Sequence, residues 1–141
     1  MSSSPNIRQA VPFFRVRDMG TSMKFYISNL GFTLTNKWVP RSKIEWCWLE
    51  RDEVSLMLQE RKNEEKFDSE VFKRNGVSIC FQCVDALALY QEFISRGADI
   101  QEPFVGNKMW VVSCTDPDGY YLDFESPTDV PEGTKYTDWY K

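Results

Sequence analysis

The sequence repeats one order of structural signals in its two halves, and this repeat limits the folds that the chain can adopt. The stretches at 16–34 ("VRDMGTSMKFYISNLGFTL") and 83–100 ("CVDALALYQEFISRGADI") share a strand end, an Asp, a helix with aromatic and Ile residues near its middle, a Gly stop and a new strand. Further strand patterns follow each stretch. A repeat of roughly 65 residues therefore predicts a βαβββ unit used twice.

Capping residues and Gly stops give the predicted helix bounds. The first helix begins at Asp18 or Thr21 and ends at Gly31, and the second runs from about Asp85 to Arg96. Alternation of apolar and polar residues predicts eight strands, at 10–17, 32–39, 43–50, 53–60, 77–84, 98–104, 108–114 and 120–125.

A chain of 141 residues has room for one compact domain. We assign a flexible N-terminus at 1–9, one domain at 10–127 and a C-terminal tail at 128–141. Within the domain, module one is 10–62, a charged connector is 63–75 and module two is 76–127. The tail carries Tyr136, Trp139 and Tyr140 among polar residues. It is predicted to be loose, to fold back onto the domain or to pack across a dimer partner.

Alternation along the strands predicts which face of each strand is covered. One face is uniformly apolar and is predicted to lie under the helices: Pro12, Phe14 and Val16; Val77, Ile79 and Phe81; Tyr120, Leu122 and Phe124. The opposite face is mixed: Val11, Phe13 and Arg15; Ser78, Cys80 and Gln82; Tyr121, Asp123 and Glu125. A close-packed core disfavours such a mixture, so the second face is predicted to line a ligand cavity.

Composition excludes several classes of function. There is no His, which excludes Ser-His and Cys-His nucleophile pairs and removes the commonest transition-metal ligand. A net charge of −4 gives no support to nucleic-acid binding and slightly favours cationic ligands. No apolar run is long enough to span a membrane, and four Cys without an export signal indicate free thiols in a reducing compartment, so we predict a cytoplasmic protein.

Three stretches resemble the vicinal oxygen chelate superfamily, which includes glyoxalase I, extradiol dioxygenases, fosfomycin-resistance enzymes and bleomycin-resistance proteins. They are "AVPFFRVRDMGTSMKFYISNLGF" (10–32), "RDEVSLMLQ" (51–59) and "DPDGYYLDF" (116–124). The first is most similar to the opening of bleomycin-resistance proteins. The resemblance implies an α+β fold, in which two βαβββ modules form a curled, mostly antiparallel sheet with a concave cleft and helices on the outer face. It also implies a homodimer, with a strand or module exchanged in some members.

The resemblance also shows where metal ligands would be expected in this chain. In metal-dependent members the ligands are His, Glu or Gln on the concave face, at positions that this sequence fills with Val11, Leu56, Ser78 and Asp123. Val and Leu have no lone pair, and a neutral Ser hydroxyl is a poor ligand for a transition metal. We therefore predict no metal, no cofactor and no catalytic residue. The alternative is a glyoxalase-like lyase or dioxygenase with an unusual carboxylate site around Asp123, Glu125 and Glu60.

Other motifs have structural alternatives. "CFQC" at 80–83 matches C-x-x-C, but on a strand its two sulfurs point to opposite faces, which favours two small buried residues over a redox or zinc site. Cys47 and Cys114 are predicted to fill the core. The aromatic stripe at 44–48 belongs either to the core or to a pocket. Arg15 either contacts a ligand or forms an ion pair with Asp123 or Glu125.

These observations favour binding over catalysis. The predicted protein is a metal-free, bleomycin-resistance type of small-molecule binder that sequesters an aromatic or cationic ligand, such as a glycopeptide antibiotic. The predicted ligand-binding residues are Phe13, Arg15, Trp46, Trp48, Ser78, Gln82, Trp110, Tyr121, Asp123 and Glu125.

Overall fold

The computed structural model describes residues 5–61 and 76–140, so the predicted connector lies outside the described residues. The strands are β1 (Phe13–Val16), β2 (Thr33–Trp38), β3 (Trp46–Arg51), β4 (Val54–Glu60), β5 (Ser78–Gln82), β6 (Phe104–Gly106), β7 (Met109–Thr115) and β8 (Tyr121–Pro127). The helices are α1 (Met19–Met23), which continues as a π-helical segment (Lys24–Asn29), α2 (Ala86–Ser95) and α3 (Tyr136–Trp139). None of the described helices is long and apolar enough to cross a membrane.

The strands form two four-stranded sheets with matching topology. Sheet one has the order β1-β4-β3-β2 and sheet two the order β5-β8-β7-β6. In each sheet the first strand pairs in parallel with the last strand of its module, and the other neighbours are antiparallel. The repeated unit and the predicted α+β class of mostly antiparallel sheets are therefore confirmed.

Both predicted helix starts and stops are present. The carboxylates of Asp18 and Asp85 accept hydrogen bonds from the backbone N–H of Thr21 and Ala88, each at 3.1 Å. The first helix differs from prediction within its length, because it widens into the π-helical segment, where Leu30 N donates to Phe25 O at 3.0 Å.

The inner faces of the two sheets share one core, as the alternation predicts. Phe14 stacks on Tyr120 with ring centroids 4.2 Å apart, and Phe32 meets Phe81 at 6.4 Å, so side chains of both modules pack together. Val77 is the exception among the predicted inner residues, since it is exposed at the edge of sheet two. Because the inner faces meet in one core, the opposite faces of the two sheets are left open.

The turn between β7 and β8 joins the modules through two buried carboxylates. Asp116 accepts hydrogen bonds from the Tyr26 hydroxyl at 2.7 Å and from the backbone N–H groups of Asp118 and Tyr120 at 2.9 Å each. Asp118 accepts from the N–H of Arg17 at 3.1 Å and from the Ser22 hydroxyl at 3.3 Å. The turn thus fixes the start of the first helix against module two.

This turn predicts a measurable pH dependence. Burial raises the pKa of the Asp116 carboxyl from 3.8 to about 6, so the folded protein holds this proton more tightly than the unfolded chain. The contribution of Asp116 to stability therefore falls as the pH rises from about 4 to about 6. We expect D116N, which cannot titrate, to lose less stability than the wild type over that range.

The experiment is urea unfolding of both proteins at several pH values. Glu60 and Glu92, whose carboxyl pKa values are lowered, titrate in the opposite sense but are present in both proteins, so the difference between the proteins reports Asp116. Parallel stability curves for the two proteins would contradict the assignment.

A second connection lies where the β3–β4 turn meets α2. The Arg51 guanidinium donates to both carboxylate oxygens of Glu92, at 2.7 and 2.8 Å, and to the Leu30 carbonyl at 2.7 Å. Arg96 donates to the same carboxylate at 2.8 Å. The pKa of Glu92 is lowered chiefly by its hydrogen bond from Arg51, as expected for a bidentate pair.

The tail folds back onto module two, which is one of the three predicted alternatives. Val105 N donates to Thr134 O at 2.9 Å and Gly133 N to Val105 O at 2.8 Å, so the tail covers the outer edge of β6. The Tyr136 hydroxyl accepts a hydrogen bond from Gln91 on α2. The predicted strand at 98–104 is wrong in extent, because β6 begins only after Pro103, which has no N–H for a ladder.

Candidate functional site

The open face of sheet one is largely aromatic, and we call it the aromatic face. Strand pairing places the aromatic side chains of this face in two rows. One row is Trp38, Trp46, Gln59 and Arg15, and the other is Asn36, Trp48, Met57 and Phe13. Phe13 is 50% exposed, and Trp46 and Trp48 are half-buried, so ring surface remains accessible on this face.

The open face of sheet two is polar, and we call it the acidic face. Pairing of β5 with β8 sets Ser78 beside Tyr121, Cys80 beside Asp123 and Gln82 beside Glu125. Asp123 accepts a hydrogen bond from the Ser113 hydroxyl at 2.6 Å, and Glu125 accepts one from the Gln82 amide at 3.2 Å. Tyr121 is 36% exposed. This face therefore combines two half-buried carboxylates with hydrogen-bond donors and an exposed ring.

Nine of the ten predicted binding residues lie on these two faces, and Trp110 does not. It is 4% exposed, on the inner side of β7, where its ring packs against Trp139 at 5.2 Å and Tyr136 at 6.3 Å. The prediction failed here because β7 carries apolar residues at 110, 111 and 112, so alternation does not show which face of the strand Trp110 occupies. The structure places Trp110 in the core beneath α3.

Within one chain, Arg15 and the two acids are not on one face. Arg15 is on the aromatic face, whereas Asp123 and Glu125 are on the acidic face of the other sheet. The backbone N–H of Arg15 donates to the Tyr120 hydroxyl at 3.2 Å, which ties β1 to module two from the inner side. The ion pair that the sequence suggested would therefore have to join side chains on different faces.

The donor set does not fit the metal site that the resemblance implies. Leu56 was predicted to face the cleft, but it is completely buried in the core, and Met57 occupies that face instead. The equivalent positions are thus Val11, Met57, Ser78 and Asp123, of which only Asp123 is a carboxylate.

The alternative carboxylate site is not assembled either. Glu60 lies on β4, where it accepts a hydrogen bond from Met19 N at 2.9 Å and pairs with Lys43. It is therefore held at the start of α1, in a different sheet from Asp123 and Glu125. Across residues 5–61 and 76–140, no group of three or more His, Cys, Asp or Glu residues could hold a metal ion.

We expect protein purified without a chelator to contain less than about a tenth of an equivalent of transition metal per chain, because stable sites need three or four protein ligands. The measurement is elemental analysis by mass spectrometry on the wild type and on D123A. A stoichiometric metal that is lost in D123A would contradict the donor-set argument.

The thiols do not form a redox pair. Cys80 is exposed on the acidic face rather than buried as predicted, whereas Cys83 is half-buried beyond the end of β5, and all four Cys are free. Desolvation and the hydrogen bond with Glu125 raise the pKa of Cys80 to about 11, so little thiolate is present at neutral pH. Cys47 and Cys114 are buried, which confirms their predicted place in the core.

The residues on the open faces that were not predicted as site residues include three with large apolar side chains. Trp38 and Met57 lie on the aromatic face, and Phe104 shares a row with Val111, Glu125 and Gln82 on the acidic face. Trp38 and Phe104 are exposed. Met57 could have been identified from its pairing with Trp48 on the neighbouring strand. The sequence alone does not give the register of that pairing.

Comparison with known proteins gives the family. The family described as Glyoxalase/Bleomycin resistance protein/Dioxygenase superfamily matches residues 8–124. A search of curated proteins finds no match.

Solved structures with the same fold include three informative examples. A bleomycin-binding protein complexed with bleomycin superposes with a TM-score of 0.67 at 22% identity, covering 85% of this chain and 98% of that one. A glyoxylase/bleomycin resistance protein/dioxygenase domain from Frankia sp. EAN1pec gives 0.67 at 17% identity, with 91% and 96% covered. TioX from Micromonospora sp. ML1 gives 0.63 at 14% identity, with 88% and 99% covered. With two βαβββ modules and a family match over most of its length, the chain belongs to the glyoxalase/bleomycin resistance protein/dioxygenase superfamily.

Proposed function

We propose that the protein binds and sequesters a small aromatic or cationic molecule in the cytoplasm, without a chemical step. The observation that carries this proposal is the pair of open faces, one aromatic and one acidic. The similarity to a bleomycin-binding protein supports the class of function, and a glycopeptide of that kind is the first ligand to test.

The aromatic face supplies stacking surface. Phe13, Met57 and Trp48 are neighbours in one row, and Trp46 lies in the adjacent row. Neighbouring strands are about 4.8 Å apart, so such a row offers a nearly flat apolar strip to a heteroaromatic ring. Indole faces also attract cations through the ring quadrupole. The face therefore suits a ligand with planar, electron-poor groups.

The acidic face supplies charge and hydrogen bonds. Asp123 and Glu125 are two positions apart on β8 and project to the same side, beside Gln82 and Tyr121. Two carboxylates at one surface favour a ligand that carries amines or amidines. Small-molecule sites combine an apolar lining with a few polar groups, and the two faces together provide that combination.

The aromatic and acidic faces have complementary chemistry and could complement each other between two chains. In one chain the two open faces belong to different sheets, and the inner sides of both sheets contribute to a shared core. We propose a homodimer in which the aromatic face of one chain meets the acidic face of its partner, which encloses a cleft from two sides. Such an arrangement would also bring Arg15 opposite the acids of the partner.

Isothermal titration with bleomycin, metal-free and copper-loaded, tests the proposal. We expect saturable binding by the wild type and a loss of affinity of about tenfold or more in W46A and in W48A. W139A is the matched control, because Trp139 is 47% exposed on α3, away from both open faces. Absence of heat with either form would remove this drug as the ligand, and equal losses in all three variants would contradict the assignment of the aromatic face.

A further inference from the structure

A cavity of about 390 Å³ lies at the seam between the two modules, beyond the end of β5. One wall is the β3–β4 turn of module one, at 51–54, and the other is the segment at 81–85 that leads into α2. We call this cavity the seam pocket. Its two walls come from one chain, whereas each open face is a single surface with no opposing wall from that chain.

Aromatic rings form the floor of the seam pocket. Phe81 stacks on Phe124 with centroids 4.7 Å apart, and Phe93 and Phe32 meet these rings edge-on at 5.0 and 6.4 Å. All four side chains are buried against the core, so the floor is already ordered. Leu89 and Val54 complete the apolar walls.

Charges at the rim are predominantly negative. Among the described residues, the lining includes the carboxylates of Asp52, Glu53 and Asp85 and one cation, Arg51. Arg51 already donates to both carboxylate oxygens of Glu92, and Arg96 shares that carboxylate. The Asp52 side chain is 87% exposed, with Oδ2 3.8 Å from Arg51 Nε. The pocket therefore has an apolar floor beneath a rim that favours positive charge.

We propose that the seam pocket is a second binding site, for a primary amine or related cation attached to an aromatic or branched aliphatic group. The apolar group fills the space above the four rings, and the ammonium lies at the rim near Asp52, Glu53 and Asp85. The volume falls within the range of roughly 300–1,000 Å³ that small-molecule sites occupy. The site does not depend on the function proposed for the open faces.

The test uses 2-phenylethylammonium as the probe and 3-phenylpropionate as an anion of similar size. Titrations of the full ¹⁵N-labelled chain by NMR should show saturable shifts at the amides of 51–54 and 83–85, which carry none of the residues proposed for the open faces. The ammonium should bind at least roughly fivefold more tightly than the anion at low ionic strength, and this preference should shrink as salt is added.

Two variants locate the site and its charge. L89W places an indole in the cavity and should weaken binding of the ammonium about tenfold or more. The double variant D52N/E53Q changes only exposed side chains and should reduce the preference for the cation to less than about twofold. Asn suits position 52, where the backbone has a φ of 51°.

We expect saturable amide shifts at the seam pocket. We also expect the ammonium to bind more tightly than the anion in the wild type, and this preference to be lost in D52N/E53Q. Shifts confined to the open faces, absence of saturation, or a preference that survives in D52N/E53Q would overturn the proposal. Because the shifts report position along the chain, failure at the seam is distinguishable from failure of the proposed open-face function.

Discussion

D116A is expected to lower the free energy of unfolding by about 2–4 kcal/mol, which is a large share of the stability of a small domain. The Asp116 carboxylate accepts three hydrogen bonds, from the Tyr26 hydroxyl and from two backbone N–H groups of its own turn. Alanine would leave these buried donors unsatisfied. It would also release the turn that holds the first helix against module two.

The matched control is D116N. One oxygen of Asp116 accepts both backbone N–H groups, and an Asn carbonyl can keep that role while its amide faces the Tyr26 hydroxyl. We therefore expect D116N to cost less than half as much as D116A. Urea unfolding at pH 7 measures both variants. Equal losses would show that the ionised group itself, rather than its acceptor atoms, determines stability.

G31A is expected to destabilise the protein by about 2–3 kcal/mol, through backbone strain and displacement of an ion-pair network. Gly31 ends the first helix with a φ of 79°, and a Cβ there would lie 2.6 Å from Arg51 Nη1, 3.0 Å from Glu92 Oε2 and 3.2 Å from Arg96 Nη2. Arg51 is anchored by Glu92 and by the Leu30 carbonyl, so its guanidinium cannot move without breaking those bonds.

Gly97 provides the comparison, because it ends α2 in the same way. Its φ is 85°, but among the described residues a Cβ there would come within 4.0 Å of Asn29 Nδ2 alone. G97A should therefore show the conformational cost alone, about 1 kcal/mol. Thermal and urea unfolding of both variants give the difference. If G97A loses as much stability as G31A, the contact with the Arg51 network does not matter.

The fold was predictable because the repeat, the caps and the alternation agree with one another. Asp18 and Asp85 cap the helices, Gly31 and Gly97 end them, and the apolar faces of β1, β5 and β8 are buried as predicted. The register of β4 was less predictable, since Leu56, Met57 and Leu58 are all apolar and only pairing with β1 decides that Met57 faces outward. In such an apolar run the sequence does not indicate which side chains face the core.

The sites were only partly predictable, because they depend on contacts between distant segments. Nine of the ten predicted binding residues lie on open faces, but the sequence does not show that those faces belong to separate sheets. The seam pocket joins segments at 51–54 and 81–85 that have no common motif. The Asp116 turn was predicted as a turn, but its hydrogen bond to Tyr26 spans 90 positions and required the structure.

Equilibrium dialysis of the protein against metal-free bleomycin, followed by mass spectrometry of the ligand from both chambers, tests most directly whether the protein sequesters rather than transforms. We predict excess ligand on the protein side, released on denaturation with its mass unchanged after prolonged incubation. Ligand of altered mass that accumulates with time, or equal ligand concentrations in both chambers, would contradict sequestration of this drug.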